Sequence, residues 1–532
     1  MSVTNAADKT KTVADPNAEY ESIEPLWKRS RAVCSGERFV KDVDSYLDRE
    51  GMRNLLIPFS PSMTDKQYQF FKAEAELPGI VAQFAKMLVG ALLRKKPVLV
   101  LPDDIPEGTH DWIMNEFTQD NSSLVSFLDS GLWEEIQTSR AWVYVDYPQI
   151  LEPEAMTKEE IDAFTPYPLL WKAESVINWH KDSDAQGNTR LAKVITRENV
   201  RRFTEQSEFH PVFIDTVYVH ELDESGNYQV RIFERQDEKG SVPVVQGREY
   251  VTNSKDGKVE FRLTDTKTGF MDHGERVRMI PAWPLNGSLD VLEPVLSPII
   301  DKEISLYNKV SRRNHLLYGA STYTPVVYSD MPDTEFDKIV SMGLGGWIKL
   351  RAEDNADILK TPTEALADYD RAIAASIEEM ARLGIRMLSP ETAQSGVALE
   401  IRNAAQTAQL GSLNNKISAI MGKVVTFMIN WRYGTEYKDS DIAFSMSSDF
   451  NPIPIGADWL RLATEWYEGG LLPRSIWLEI LKHNDLLSPD YNDEEGQKEI
   501  NEDDLIDKGD VDEGDLFDNV TKPKPKPKPK PK

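Results

Sequence analysis

The chain has 532 residues, 40% of them hydrophobic and 28% charged, with a formal net charge of −27. That balance excludes a wholly disordered chain and leaves room for several folded domains, while the excess of acid excludes indiscriminate phosphate binding over the general surface. The single cysteine, Cys34, excludes an intrachain disulfide and points to no oxidising compartment.

Residues 1–20 read as a polar, disordered start without the apolar stretch of a secretory signal, so a water-soluble, intracellular protein is expected. From Tyr20 to about Val98 the apolar spacing is mainly helical. The most apolar run, LPGIVAQFAKMLVGALL, spans 17 residues and holds Lys86, which suits a buried helix and not a bilayer span. LLRKK closes that helix with basic residues, and a short strand follows in PVLVLP. HDWIMNEF and SLVSFLDSGLWEEIQTS, within 110–140, are helical again. Between about 140 and 280 the period drops to two. AWVYVDYPQI, SVINWHKD, TRLAKVITRE, TVYVHELDESGNYQVRIFER and GKVEFRLTDT predict a mostly antiparallel sheet, with DESGN as a hairpin turn.

Helix returns at SPIIDKEISLYNKVSRRNHLLYG. Ser297 is its expected cap, Pro298 its first residue and Gly319 its stop. Asp301 and Glu303 fall early and Arg312, Arg313 and His315 late, an order that suits the helix dipole. Its apolar stripe is Ile300, Ile304, Tyr307, Val310 and Leu317. A small α/β insert follows, with strands at STYTPVVYS, GGWIKLRAE and ADILKT and a short helix at DTEFDKIV. A second helix, TPTEALADYDRAIAASIEEMARLG, leads back. Thr361 and Glu364 form its capping box, Pro362 its first position, Leu366, Tyr369, Ile373, Ile377 and Met380 its stripe, and Gly384 its end.

After SPETAQSG one helix is expected from Ser395 to Arg432, about 57 Å long at 1.5 Å per residue. Its first half is small, with Ala398, Ala404, Ala405, Ala408 and Gly411; its second half is apolar, with Ile417, Ile420, Val424, Val425, Phe427, Met428 and Ile429. Close approach of a neighbour explains the small half, and so does the plain helix propensity of alanine. From Asp490 to Val520 fourteen Asp and Glu stand against two Lys, and TKPKPKPKPKPK follows. Alternating proline admits neither helix nor central strand. A solvated polyproline-type tail is expected, with loose contact to DNA or to the acidic run as the alternative.

Enzymatic motifs are missing. The Gly257-Lys258 and Gly422-Lys423 pairs are followed by valine, so neither makes a phosphate loop, and GLGG at 343–346 precedes a strand. The seven histidines make no close ligand pair, and one cysteine cannot build a thiolate zinc site. No catalytic residue, cofactor or metal is assigned.

The order of elements resembles the portal protein of a tailed bacteriophage over roughly residues 20 to 500. FKAEAELPGIVAQFAKMLVGALLRKKPVLVLP resembles the early portal helix with its apolar strand, and SVINWHKDSDAQGNTRLAKVITRE the wing strands. PLNGSLDVLEPVLSPIIDKEISLYNKVSRRNHLLYGASTYTPVVY resembles the passage through the first stem helix into the clip. SGVALEIRNAAQTAQLGSLNNKI resembles the segment after the tunnel loop, and WYEGGLLPRSIWLEIL the helices after the wing. The resemblance implies an α+β, multidomain subunit with wing, stem, clip and crown, assembling into a ring with a central channel. It implies a wing at 21–290, a first stem helix at 291–318, a clip at 319–361 and a second stem helix at 362–383. A tunnel loop and long wing helix would fill 384–460 and a crown 461–505, with the acidic segment and Lys-Pro tail at 506–532.

By the same resemblance the protein would be a dodecameric, non-enzymatic ring at one capsid vertex of a virion assembled in the host cytoplasm. Double-stranded DNA would pass through it during packaging and ejection. Expected partners are the terminase large subunit, then head–tail adaptor and tail proteins, together with major capsid and scaffold proteins; no membrane is implied. Channel-facing candidates are Lys302, Lys309, Arg312 and Arg313, with salt bridging to a neighbouring subunit as the plainer use. Tunnel-loop candidates are Arg386, Met387, Leu388, Ser389 and Glu391. Clip docking candidates are Asp330, Asp333, Glu335, Asp337 and Lys338, whose acidic first turn also suits a helix start by itself. Two other readings stay open: a virion ring component that never meets DNA, and a large acidic hydrolase with dispersed carboxylates.

Overall fold

The computed structural model describes residues 12–43, 55–148, 164–183, 187, 189–204, 207–237, 240–241, 243–244, 260–268, 271–272, 275–321, 326–328, 332, 348–350, 364–383, 396–448, 457–483 and 486–487. Helix and sheet are mixed, as α+β, in two compact units, Met1–Phe450 and Asn451–Lys532.

The first unit opens with α1 (Ala18–Ser35), α2 (Glu37–Val43), α3 (Asp65–Glu74) and α4 (Ile80–Leu92). Asn17 caps α1 by accepting the Tyr20 N–H at 2.7 Å. Ala14 and Tyr20 are buried, so order begins earlier than the expected disordered stretch of 1–20 allows. Thr64 and Gln67 form a capping box on α3. After β1 (Val98–Val100) come α5 (Thr109–Asn115) and α6 (Leu124–Thr138), which lead into the antiparallel pair β2 (Trp142–Asp146) and β3 (Tyr167–Trp171).

The alternating region forms one large antiparallel sheet. Its strands are β4 (Val176–Ser183), β5 (Thr189–Thr204), β6 (Ser207–Leu222), β7 (Tyr228–Asp237), β8 (Gly240–Ser241), β9 (Pro243–Val244) and β10 (Glu260–Lys267), in the order β10-β7-β6-β5-β4 with β8 on β7 and β9 on β6. DESGN is the turn between β6 and β7. Asp223 Oδ1 accepts the Ser225 and Asn227 N–H groups at 2.8 Å each, and Gly226 takes φ +81°, a left-handed backbone that favours glycine. β11 (Met271–Asp272) pairs with β12 (Glu275–Arg276), and β13 (Ala282–Pro284) joins β2. A buried polar seam fastens the two larger sheets together. His220 on β6 meets Tyr228 Oη at 2.7 Å, Tyr228 donates to Tyr144 Oη at 3.1 Å, and Tyr144 donates to Asp146 at 3.3 Å. Burial holds the His220 imidazole neutral, down to about 3.

Helix then dominates. α7 (Ser297–Ser321) leads out, β14 (Val326–Tyr328) pairs in parallel with β15 (Ile348–Leu350), and α8 (Glu364–Leu383) leads back. Ser297 is the first helical residue and not the cap, because its N–H already turns back to the Pro294 carbonyl. Gly319 does not stop α7, which continues to Ser321: glycine costs helix stability but permits the helical backbone. α9 (Gly396–Tyr433) has 38 residues, close to the expected span. Its second half is buried, with Ile417, Met421, Val424, Val425, Met428 and Ile429 at 0% exposure. β16 (Ala443–Ser445) returns to pair antiparallel with β1.

In the second unit, α10 (Ala457–Glu468) and α11 (Arg474–His483) are joined by a turn at Gly470, where the Leu471 N–H bonds the Trp466 carbonyl at 2.9 Å. Tyr467 stacks on Trp477 with ring centroids 4.7 Å apart. The short helix at DTEFDKIV, the strand at ADILKT, the capping box at Thr361 and the Lys-Pro tail lie outside the described residues.

Candidate functional site: the helix pair and its base

α7 and α8 pack antiparallel, and polar pairs lace them in register. Lys302 Nζ meets Glu379 at 2.6 Å, Lys309 Nζ donates to Ser376 Oγ at 2.6 Å, and Arg313 meets Asp370 at 2.5 Å. As the partner number rises on α7 it falls on α8, which fixes the direction of the return helix. The Lys302 ammonium holds the Glu379 carboxyl below its ordinary value. Such exposed pairs add little stability singly; they set register. On α7 Ile300, Leu306 and Tyr307 are buried, and on α8 Met380 is. Two expected stripe residues are not: Leu317 is 46% and Ile377 43% exposed.

Three of the four candidate channel cations, Lys302, Lys309 and Arg313, thus reach α8 of the same chain. Arg312 does not. It lies about 100° round the helix from Arg313, and its Nε is buried with no hydrogen-bond partner among the described residues.

The base of α7 is clamped from several directions. Arg29 on α1 meets Asp301 at 2.5 Å. Glu303, fully buried, accepts the Ile80 and Val81 N–H groups at 2.7 Å each. α4 has no side-chain cap of its own, so this carboxylate from a distant helix caps it. Burial nonetheless raises the Glu303 pKa above the usual carboxylate range. Asn308 accepts the Ile57 N–H at 2.7 Å and donates to the Leu55 carbonyl at 2.8 Å.

Just upstream, the guanidinium of buried Arg140 lies between the rings of Trp142 and Trp179, 4.6 and 4.5 Å from their centroids. It donates to the carbonyls of Ser288, Leu289 and Asp290. Burial lowers its pKa to about 10.

A cavity of about 460 Å³ opens beside this base, walled by Phe84, Leu88, Leu292, Leu296, Leu383 and Leu413, with Glu135 and Asn286 at its edge. Burial pushes the Glu135 carboxyl up to about 7, although it accepts the Ala141 N–H at 2.9 Å. Among the described residues no group of His, Cys, Asp and Glu could hold a metal ion, and no helix is long and apolar enough to cross a membrane.

The tunnel-loop candidates Arg386, Met387, Leu388, Ser389 and Glu391 lie outside the described residues, as do the docking candidates Asp330, Asp333, Glu335, Asp337 and Lys338. Sequence reasoning missed Glu135, Arg140 and the capping use of Glu303. Their partners stand 6, 148 to 150 and 222 to 223 residues away, and only Glu303, read as dipole decoration, drew notice.

The region that folds as helix, insert, helix and long helix is also the region that comparison picks out. A family model described as a domain of unknown function, DUF4055, matches residues 296–432, from the start of α7 nearly to the end of α9. No curated protein matches the chain.

Proposed function

We propose that the chain is the subunit of a portal-type ring: a non-enzymatic, DNA-conducting assembly at one vertex of a tailed-phage capsid, in which α7 and α8 form the stem, the insert between them the clip, and α10 and α11 part of the crown. The observation that carries this reading is the helix pair. One helix leads out to a small insert and another returns beside it in polar-laced register, and α9, about 57 Å long at 1.5 Å per residue, follows with its second half buried in its own unit.

A pair of helices with an insert at its tip buries little by itself, and Leu317, Tyr318, Ile377 and Leu383 stay exposed. Neighbouring copies would cover them. The acidic balance suits a conduit, since each phosphate contact by Lys or Arg adds salt-dependent affinity and a basic lumen would hold DNA fast. The stem cations already engaged by α8 would strengthen the wall and not grip the DNA. Terminase, then the head–tail adaptor, would dock at the insert, with capsid and scaffold proteins around the wing.

Negative-stain microscopy and native mass spectrometry of the purified chain test this. Rings with a central hole, at a mass that is a whole multiple of the 60.4 kDa subunit, are expected. Compact monomers across a wide concentration range would overturn the proposal.

A further inference from the structure

We infer that the cavity beside the base of α7 is a binding site for a small molecule with an apolar body and one ammonium group, the body lying along the leucine walls and the ammonium meeting the Glu135 carboxylate.

Five helices converge on this cavity. α4 gives it Phe84 and Leu88, α6 Ile136, α7 Ile299, α8 its last residue Leu383, and α9 Leu413. All belong to one chain, so the site does not depend on a ring. Its volume of about 460 Å³ falls in the ordinary range of small-molecule sites. Phe84, Leu88, Ile136 and Leu296 are buried in its wall, while Leu292, Val295 and Leu383 stay 39%, 62% and 45% exposed at its edge. Large apolar side chains gathered in the open beside a cavity mark a place that something apolar covers.

The polar groups of the cavity decide which head group fits. Ser139 Oγ accepts the Val295 N–H at 3.1 Å. Asn286 donates to the Ser139 carbonyl at 2.7 Å and accepts the Ser288 N–H at 2.9 Å. Both side chains are thus taken up by the protein. Glu135 differs. It is 2% exposed, one of its oxygens accepts the Ala141 N–H at 2.9 Å, and the Asn286 amide also favours its charged form. No cation touches it among the described residues. The Arg140 guanidinium acts on it only from a distance, being held by the carbonyls of Ser288, Leu289 and Asp290. A carboxylate offers about four acceptor sites, and a buried one without a cation is costly. An ammonium supplies both the missing charge and a charge-assisted hydrogen bond. A hydroxyl head would lack the charge, and a carboxylate head would be repelled.

Calorimetry of the full chain with octylamine, octanol and octanoate tests the site, since the three share one apolar body and differ in the head. At pH 8 octylamine is expected to bind once per chain, roughly tenfold or more tightly than the other two. Glu135→Gln should bind the amine no better than the alcohol. Leu413→Trp fills the cavity, leaves every charge in place and should weaken octylamine and octanol alike. Burial lifts the Glu135 pKa to about 7, so octylamine should bind roughly tenfold more tightly at pH 8 than at pH 6 as the carboxyl loses its proton, while octanol should gain nothing. The other charged groups around the carboxyl are Glu134 and Arg140, with Glu293 and Lys416 lining the cavity. Loss of the pH effect in Glu135→Gln assigns it to Glu135 and not to these. Equal binding of octylamine and octanol by the wild-type chain overturns the inference, as does octylamine binding that survives both substitutions. Absence of heat from all three at millimolar concentration overturns it too.

Discussion

A buried carboxylate without a cation in direct contact makes stability depend on pH, and Glu135 is such a group. It is 2% exposed, and its pKa rises from an ordinary 4.5 to about 7, chiefly through burial. The folded state therefore holds the proton more tightly than the unfolded chain does. The stabilising contribution is complete below about pH 4.5, fades as pH climbs through the interval to about 7, and is absent above it. Glu135→Gln keeps an oxygen for the Ala141 N–H and removes the titration. Its stability relative to wild type is expected to improve between pH 5 and pH 8 by on the order of 3 kcal/mol. Urea unfolding at both pH values reads this, and an unchanged difference would show that Glu135 does not titrate there. Glu303 and Arg140 belong to the same scale. Each satisfies backbone groups that no neighbour in sequence could reach.

At the scale of elements, α8 presents two apolar surfaces of different value. Met380 is fully buried and Ile377 is 43% exposed. Met380→Ala should cost about 2–5 kcal/mol in the isolated subunit, and Ile377→Ala less than about 1 kcal/mol. Denaturant unfolding at dilution separates them, and equal losses would mean that Ile377 is packed in the subunit after all. The same helices show what sequence can and cannot tell. The long apolar run from Ile417 to Ile429 makes α9 legible almost to its ends. β5 is legible only over 189–198 and β6 only over 216–222, because the polar stretches 199–204 and 207–210 break the apolar alternation where the two strands extend. Periodicity puts residues on a face but does not name what the face meets. Leu317 and Ile377 continue their stripes correctly and are exposed because α7 and α8 cover only one another's nearer rows. The sequence marks the four cations of α7 by charge alone. That three of them turn to α8 depends on Glu379, Ser376 and Asp370, which lie 77, 67 and 57 residues further on.

For the whole molecule, the portal proposed above needs a separate source of energy, because neither Gly-Lys pair is set in a phosphate loop. The purified ring should hydrolyse ATP no faster than background, because neither Gly-Lys pair can cradle a phosphate. A phosphate-release assay across fractions of a sizing column checks this. Activity that follows the ring peak would place a motor in this chain, and activity confined to an added terminase subunit agrees with the proposal.

The clamps at the base of α7 also have a mechanical meaning. Asp301 is held by α1, Glu303 by the first amides of α4, and Asn308 by the backbone at Leu55 and Ile57, while Arg140 grips three carbonyls just before the helix begins. A pull along the axis of α7 loads these attachments side by side. They would have to shear together, where links in a row would unzip one after another. α8 meets α7 through the exposed pairs at Lys302 and Arg313, so a strained molecule would loosen the return helix before it draws α7 from the body.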